Sequence, residues 1–138
     1  TMQTEQSLRV TALDHLTLIV ADLEATRKFY VDFIGMTESQ RPNFDFPGAW
    51  FQIGKIQIHV TCSSELAGLA GWGDRQVKSI SRGHHFAFTV DDFDEAMETI
   101  DRLGIKVGDG PKCRPDGAKQ VYIYDPDGHL VEICSSVV

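Results

Sequence analysis

The sequence has little of what marks secreted, membrane-spanning or disulfide-stabilised proteins. It contains only 3 cysteines among 138 residues, at Cys62, Cys113 and Cys134, an odd number without the spacing of a disulfide framework. No apolar run approaches the roughly 20 residues needed to cross a bilayer. The N-terminal residues lack the basic-then-apolar order of a signal peptide. These absences favour a protein of the reducing cytoplasm that has no membrane partner.

Basic residues are also scarce. Lys and Arg number 13 against 20 Asp and Glu, which gives a formal net charge of −7. Proteins bind phosphate backbones with clustered Lys and Arg, so no nucleic-acid partner is expected and a small-molecule substrate is expected instead. The length and a hydrophobic content of 42% predict one globular domain over residues 1–138.

What the sequence does contain is an internal repeat. The stretches LDHLTLIVADL and GHHFAFTVDDF align His15 with His85, Val20 with Val90, and Asp22 with Asp92. Each stretch is followed by a helix-like run and then a glycine. Repetition of this kind predicts one folding unit used twice. We place module one at about residues 11–62, a linker at 63–82, and module two at about 83–135.

Hydrophobic periodicity predicts the order strand, helix, strand, strand, strand in each module. In module one, Asp22 is the expected helix N-cap, the helix is expected at 25–33, and strands at 13–20, 36–41, 50–53 and 55–61. In module two, Asp92 is the expected N-cap of a helix at 93–103. Strands are expected at 85–90, 105–107, 120–124 and 129–134, with a loop at 108–117 and a DPDG turn at 125–128. The linker is expected to contain a short helix at 64–69.

Four strands carry one ionisable residue opposite their apolar face: His15, His59, His85 and Glu132. The apolar faces must pack against the helices, so these four residues are expected to share the other face. A slip of one residue would replace His85 by His84, and His129, in the turn, is expected on the surface.

The four residues also follow the repeat, because His15 corresponds to His85 and His59 corresponds to Glu132. An approximate two-fold axis between the modules would bring them together. Three imidazoles and a carboxylate form a site for one divalent ion: Zn, Ni, Co, Mn or Fe(II). For any one of these residues taken alone, a structural role is the simpler interpretation.

The strand-one His, the strand–helix–Gly unit, the repeat and the ending DPDGHLVEI resemble the vicinal oxygen chelate superfamily over nearly all of Thr11–Ser135. That superfamily includes glyoxalase I, extradiol dioxygenases, fosfomycin-resistance proteins and bleomycin-binding proteins. The resemblance implies an α+β fold in which two tandem βαβββ modules form a cupped, half-barrel mixed sheet around a divalent metal, with helices on the outer face. It also implies a homodimer.

Departures from the family patterns bear on the activity. In glyoxalase I the position of His59 is typically Glu, and the strand-one arginine that would fall near Ile19 is absent. In extradiol dioxygenases a His heads each half and a Glu lies on the last strand, as do His15, His85 and Glu132 here. His59 would then be a free acid or base.

The first functional hypothesis is a glyoxalase-like metal-dependent lyase or isomerase, whose substrate binds the metal through two neighbouring oxygens. Glu132 or His59 would move the proton. The alternatives are an Fe(II) or Mn(II) ring-cleaving dioxygenase, a non-catalytic drug-binding resistance protein, and a fosfomycin-type thiol transferase using Arg41, Arg114 or Lys119. The residues expected to contact substrate are Trp50, Tyr122, Tyr124, Trp72 and Arg41, with Phe44 and Phe46 as further aromatic lining.

Overall fold

The computed structural model describes residues 7–73 and 79–137. Module one consists of β1 (His15–Val20), α1 (Leu23–Arg27), a π-helical turn (Lys28–Phe33), β2 (Thr37–Ser39), β3 (Gly48–Ile53) and β4 (Ile56–Cys62). Module two follows a 3-10 turn (Ile80–Arg82) and consists of β5 (Phe86–Val90), α2 (Phe93–Arg102), β6 (Val107–Cys113), β7 (Lys119–Tyr124) and β8 (Leu130–Ser135). No helix in these two ranges is long and apolar enough to cross a membrane.

The two modules fold into two four-stranded mixed sheets with the same topology. The strand orders are β1-β4-β3-β2 and β5-β8-β7-β6. In each sheet the first strand runs parallel to the last, and the other pairs are antiparallel. Neither sheet closes into a barrel within the described ranges, so the predicted α+β half-barrel of tandem βαβββ modules is confirmed.

The repeat is also visible in how the helices begin. Asp22 Oδ1 accepts the backbone N–H of Glu24 at 2.9 Å, and Asp92 Oδ1 accepts that of Glu95 at 3.0 Å. Each carboxylate therefore satisfies an N–H group that has no partner within its helix. Both predicted N-caps are confirmed.

The apolar face of every central strand packs against the helices in one core. The core includes Leu18, Val20, Ile58 and Val60 of module one and Val121, Ile123, Val131 and Ile133 of module two. The modules are joined inside it, because the fully buried Tyr30 donates its hydroxyl hydrogen to Asp125 Oδ2 at 2.7 Å. The polar positions of the strands therefore lie on the opposite face of each sheet, as alternation requires.

Three local predictions are wrong. Residues 107–113 form β6, not a loop, and its register against β7 shifts between Val107 and Asp109 and again before Lys112. These irregularities remove the period-two pattern by which a strand is recognised. The expected helix at 64–69 is a turn closed by an isolated bridge between Ser64 and Gly68. Leu103, expected in the buried stripe of α2, is half-exposed after the helix end.

Candidate metal centre

On the face of module one opposite the core, three rings stack in a column across three strands. The His15 and His59 ring centroids are 3.8 Å apart and their planes are inclined by 14°. Trp50 is paired with His59 across the β3–β4 ladder. Its ring stacks on the other face of His59, at 4.0 Å and 4°. His59 is therefore held between His15 and Trp50.

Hydrogen bonds fix which ring nitrogen of these histidines has a free lone pair. His15 Nδ1 lies 2.8 Å from Asp14 Oδ2, which accepts hydrogen bonds, so neutral His15 presents Nε2 to a ligand. His59 Nε2 donates to Gln57 Oε1 at 2.7 Å, which leaves Nδ1 available. Burial lowers the pKa of His59, and the neighbouring His15 lowers it further, which favours a neutral imidazole.

On the corresponding face of module two, His85 and Glu132 face each other. His85 Nδ1 lies 2.9 Å from the Gly83 carbonyl oxygen, which only accepts, so Nδ1 carries the hydrogen. The other nitrogen, Nε2, is 3.1 Å from Glu132 Oε1. In neutral His85 both of these atoms are acceptors, so the contact needs either one proton shared between His85 and Glu132 or a cation held by both groups.

The donor set therefore fits a divalent ion. Metal-binding histidines commonly donate their second ring nitrogen to a carboxylate or a backbone carbonyl. His15 does so to Asp14 and His85 does so to Gly83. Two Nε2 atoms and the buried Glu132 carboxylate are ligands that Zn, Mn, Ni and Fe(II) accept.

Gln120 and Tyr122 surround Glu132, and Gln120 is a candidate site residue that was not predicted from the sequence. Gln120 Nε2 donates to Glu132 Oε2 at 3.0 Å and to the Tyr122 hydroxyl at 3.1 Å. The Tyr122 ring stands edge-on to His85, with centroids 5.3 Å apart. Burial and the charge of Glu132 raise the pKa of Tyr122 to about 12, so its hydroxyl keeps its proton at neutral pH. The available signal was alternation, which puts Gln120 on the Tyr122 face of β7.

Within one chain the two pairs do not converge. His15 and His59 form one pair and His85 and Glu132 the other. Neither is in the single group of three or more potential ligands found within 4.8 Å of one another in the described part of the chain. β1 and β5 are both outer strands, and an open cavity of about 440 Å³ lies between them. His85 lines this cavity, whereas His15 does not.

The group that does converge is Asp125, Asp127 and His129, in the DPDGH turn. Asp125 Oδ1 accepts two backbone N–H groups of this turn, and its Oδ2 accepts from Tyr30 and from His129 Nδ1 at 2.7 Å each. These bonds already satisfy Asp125 and tie the turn to module one.

His129 is fully buried, so the prediction that it lies on the surface is wrong. Trp72 covers it edge-to-face at 5.1 Å. A turn sequence alone gives no sign of this distant contact.

The remaining predicted substrate residues are dispersed. Trp50 and Tyr122 lie beside the two pairs. Trp72 contacts Phe86 and His129 in the cavity wall between the modules. Tyr124 lines a different cavity of about 380 Å³. Arg41 lies over the rings of two phenylalanines at the end of β2.

Comparison with known proteins identifies the family. The model of the Glyoxalase/Bleomycin resistance protein/Dioxygenase superfamily matches residues 12–133. The chain belongs to this superfamily. The resemblance drawn from the repeat and the DPDG ending is thereby confirmed, and the superfamily spans more than one type of activity.

Individual relatives of this superfamily member differ in activity. The chain is 25% identical over 132 residues to "Glyoxylase I 4" of Arabidopsis thaliana, covering 93% of this chain and 72% of that protein. It is 29% identical over 126 residues to "Glutathione transferase FosA" of Serratia marcescens, covering 88% and 79%. A putative glyoxalase family protein from Bacillus anthracis matches in structure with a TM-score of 0.70 and 27% identity, covering 94% and 98%.

Proposed function

We propose that the protein is a divalent-metal-dependent enzyme of the glyoxalase-like lyase or isomerase type. Its substrate would bind the metal through two neighbouring oxygens. The observation that carries the proposal is the 3.1 Å contact between His85 Nε2 and Glu132 Oε1, two atoms that can both serve as metal ligands. A bound divalent ion supplies Lewis-acid stabilisation of negative charge that develops on the substrate oxygens.

We assign the metal to His15, His85 and Glu132. His59 was also predicted as a ligand, and this stays a prediction, but its ring geometry favours another role. The rings of His15 and His59 are nearly parallel, so their in-plane lone pairs run side by side and do not meet at one ion. His59 would instead orient the His15 ring.

We propose that residues beside the metal transfer the protons. Glu132 is the proposed acceptor of the substrate proton, because Gln120 holds one of its oxygens and leaves the other directed at His85. His59 is a second candidate base, since it is neutral and its Nδ1 lies outside the bond to Gln57. Tyr122, protonated, would donate a hydrogen bond to an anionic substrate oxygen.

The predicted homodimer is part of this proposal. β1 and β5 are outer strands, each paired on one side only. A second copy would place the His15 edge of one chain against the His85 edge of the other. Two equivalent sites would result, each completed by both chains.

The second candidate function is a ring-cleaving dioxygenase. Two histidines and one carboxylate with open positions is also the ligand set of non-haem Fe(II) oxygenases. The identity of the bound metal separates the two: zinc or nickel supports the lyase or isomerase, and iron or manganese supports the dioxygenase. A drug-binding protein without catalysis would need no ion at all.

The test is metal content by elemental mass spectrometry of the purified protein and of Glu132→Gln. The matched control is Glu98→Gln, an exposed glutamate on α2. We expect about one ion per site in the wild type and the control, and at least a tenfold lower content in Glu132→Gln. A wild type that retains no ion after incubation with Zn, Ni, Mn and Fe(II) would refute the proposal.

A further inference from the structure

Next to the Trp50–His59–His15 column lies a cluster of aromatic rings around one arginine, which we call the aromatic shelf: Arg41, Phe44, Phe46 and Trp50. The Arg41 guanidinium carbon is 4.9 Å from the Phe44 ring centroid and 4.8 Å from that of Phe46. The two phenyl rings stack at 5.2 Å, and Phe44 is 6.3 Å from Trp50. The shelf therefore continues the column outward from β3.

Arg41 differs from the other half-buried arginines of the described ranges in having no carboxylate partner. Arg27 is bonded to Glu38 and Arg114 to Asp116, whereas Arg41 donates to the backbone carbonyl of Phe46 at 3.0 Å. The chain has 20 acidic residues, so the lack of a carboxylate partner sets Arg41 apart from Arg27 and Arg114. A guanidinium has five N–H donors, so most of its capacity to bind an anion is unused.

The arginine is also held in place. Phe46 O accepts from its Nη2, and two ring faces lie against the guanidinium. A planar donor fixed in this way is pre-organised for an oxygen anion.

The rings of the shelf are accessible to a ligand. Phe44 is 44% and Phe46 is 42% exposed, although both lie in a short loop where polar residues would cost less. Trp50 is partly exposed and shares one face of the sheet with His59. Apolar surface at this point lies between the arginine and the proposed metal ligand His15.

We propose that the aromatic shelf binds an apolar carboxylate, with the carboxylate on Arg41 and the apolar body over Phe44, Phe46 and Trp50. Arg41 follows β2 and His15 is on β1, three strand spacings or roughly 14 Å away across the sheet. Gly48, which lies beside the Arg41 guanidinium, is level with Ile19 of β1, so Arg41 and His15 are also offset by four residues, or roughly 13 Å, along the strands. The substrate is thus an elongated molecule with an anionic group at one end and two neighbouring oxygens at the other. Only the metal-binding end of this molecule rests on the proposed function.

The test is an NMR titration with 4-phenylbutyrate that follows the Trp50 indole N–H in Trp72→Phe protein, since the chain has 2 tryptophans. The uncharged 4-phenylbutyramide and the ring-free butyrate are the matched ligands. We expect each to bind at least tenfold more weakly than 4-phenylbutyrate. Equal affinities for the amide and the carboxylate would overturn the proposal. This comparison changes only the ligand, so the charge of the protein stays the same.

Arg41→Gln should lower the affinity for 4-phenylbutyrate at least tenfold. Arg41→Lys should lower this affinity less, because the positive charge is kept. The control Arg102→Gln, at the exposed end of α2, should change nothing. An unaltered affinity in Arg41→Gln overturns the proposal. A second outcome would also overturn it: the double variant Phe44→Ser/Phe46→Ser becomes a monomer but still binds the probe. The two rings would then be dimer-interface residues and not ligand-binding residues.

The proposed metal site is tested separately. The titrations are run on the purified protein and repeated after EDTA treatment, and the shelf should bind the probe equally in both. If probe binding fails while Glu132→Gln still abolishes metal binding, the substrate class is wrong and the metal site stands. If the probe binds but no ion is retained, the shelf stands and the metal-dependent function fails.

Discussion

The faces opposite the core in the two modules differ in how their polar side chains are held. The His15 side chain in module one is 39% exposed, whereas in module two its counterpart His85 is 25% exposed and Glu132 is 7% exposed. His15 is bonded to an exposed carboxylate and stacks on a ring, while Glu132 is bonded to His85 and to the buried Gln120. The same folding unit therefore presents an open surface in one copy and a closed hydrogen-bond network in the other.

This difference indicates a division of roles. A buried carboxylate is strongly destabilised unless it is paired, so the proposed cation would suit the buried Glu132 of module two. In the proposed site, module one would contribute one ligand and a wide aromatic surface, which suits contact with a substrate. Each of the following experiments compares a change in one module with a change in the other.

The largest effect is expected from mixing two inactive variants, His15→Ala and His85→Ala. Each should bind no metal alone, since each lacks one proposed ligand. If sites are completed by both chains of a dimer, half of the dimers in an equal mixture are mixed and each holds one intact site, which gives about one ion per four chains. Elemental mass spectrometry after co-refolding measures this. A mixture that stays metal-free would mean that each site is built within one chain.

The second comparison concerns the hairpin turns that end the two modules. Asp125→Ala should lower the free energy of unfolding by about 3 kcal/mol, because Tyr30, His129 and two backbone N–H groups lose their acceptor inside the core. Lys55→Ala, in the exposed β3–β4 turn, should change it by less than about 0.5 kcal/mol. Urea denaturation at pH 7 measures both. Similar values for the two variants would mean that the buried network does not stabilise the fold.

The third comparison concerns the amide beside each pair. Gln120→Leu should weaken metal binding about 10- to 100-fold, since Glu132 Oε2 loses its donor. Gln57→Leu should weaken it only about twofold, because Gln57 contacts His59, which is not among the three assigned ligands. Competition with a chelator of known affinity gives both constants. If Gln57→Leu weakens metal binding by much more than twofold, His59 would have to be counted among the metal ligands.

The sequence predicted the features that depend on period two and failed where distant contacts decide. Alternation correctly assigned the apolar residues of β1, β4, β5 and β8 to the core, because one strand face must pack on the helices. Trp72 packs on His129, and Tyr30 bonds to Asp125 of the same turn. Both partners are far away in the chain, so the DPDGH sequence alone indicates an exposed turn.

The sequence predicted only in part which of the candidate site residues contact each other. Matching positions in the repeat related His59 to Glu132, but His59 stacks in parallel on His15, and Glu132 faces His85 directly. A repeat fixes backbone positions and leaves ring orientations to local partners such as Gln57 and Trp50. The irregular register of β6 likewise left no pattern to recognise.

The smallest expected effect is a shift in the titration of His59, which reports how closed the module-one column is. Burial lowers the pKa of His59 below its ordinary value of 6.5, so the unfolded chain binds a proton more readily than the folded one. This group therefore favours unfolding as the pH falls through 6.5, and its contribution disappears above that value.

Trp50→Ala removes one ring that excludes water, so the midpoint of His59 should move back towards 6.5. NMR titration of the imidazole Cε1–H in the metal-free protein gives the midpoint. Tyr122→Phe in module two should leave it unchanged. If the titration midpoint of His59 is the same in Trp50→Ala and in the wild type, water already reaches His59 in the column. The difference in burial between the two modules would then be larger than the stacking distances indicate.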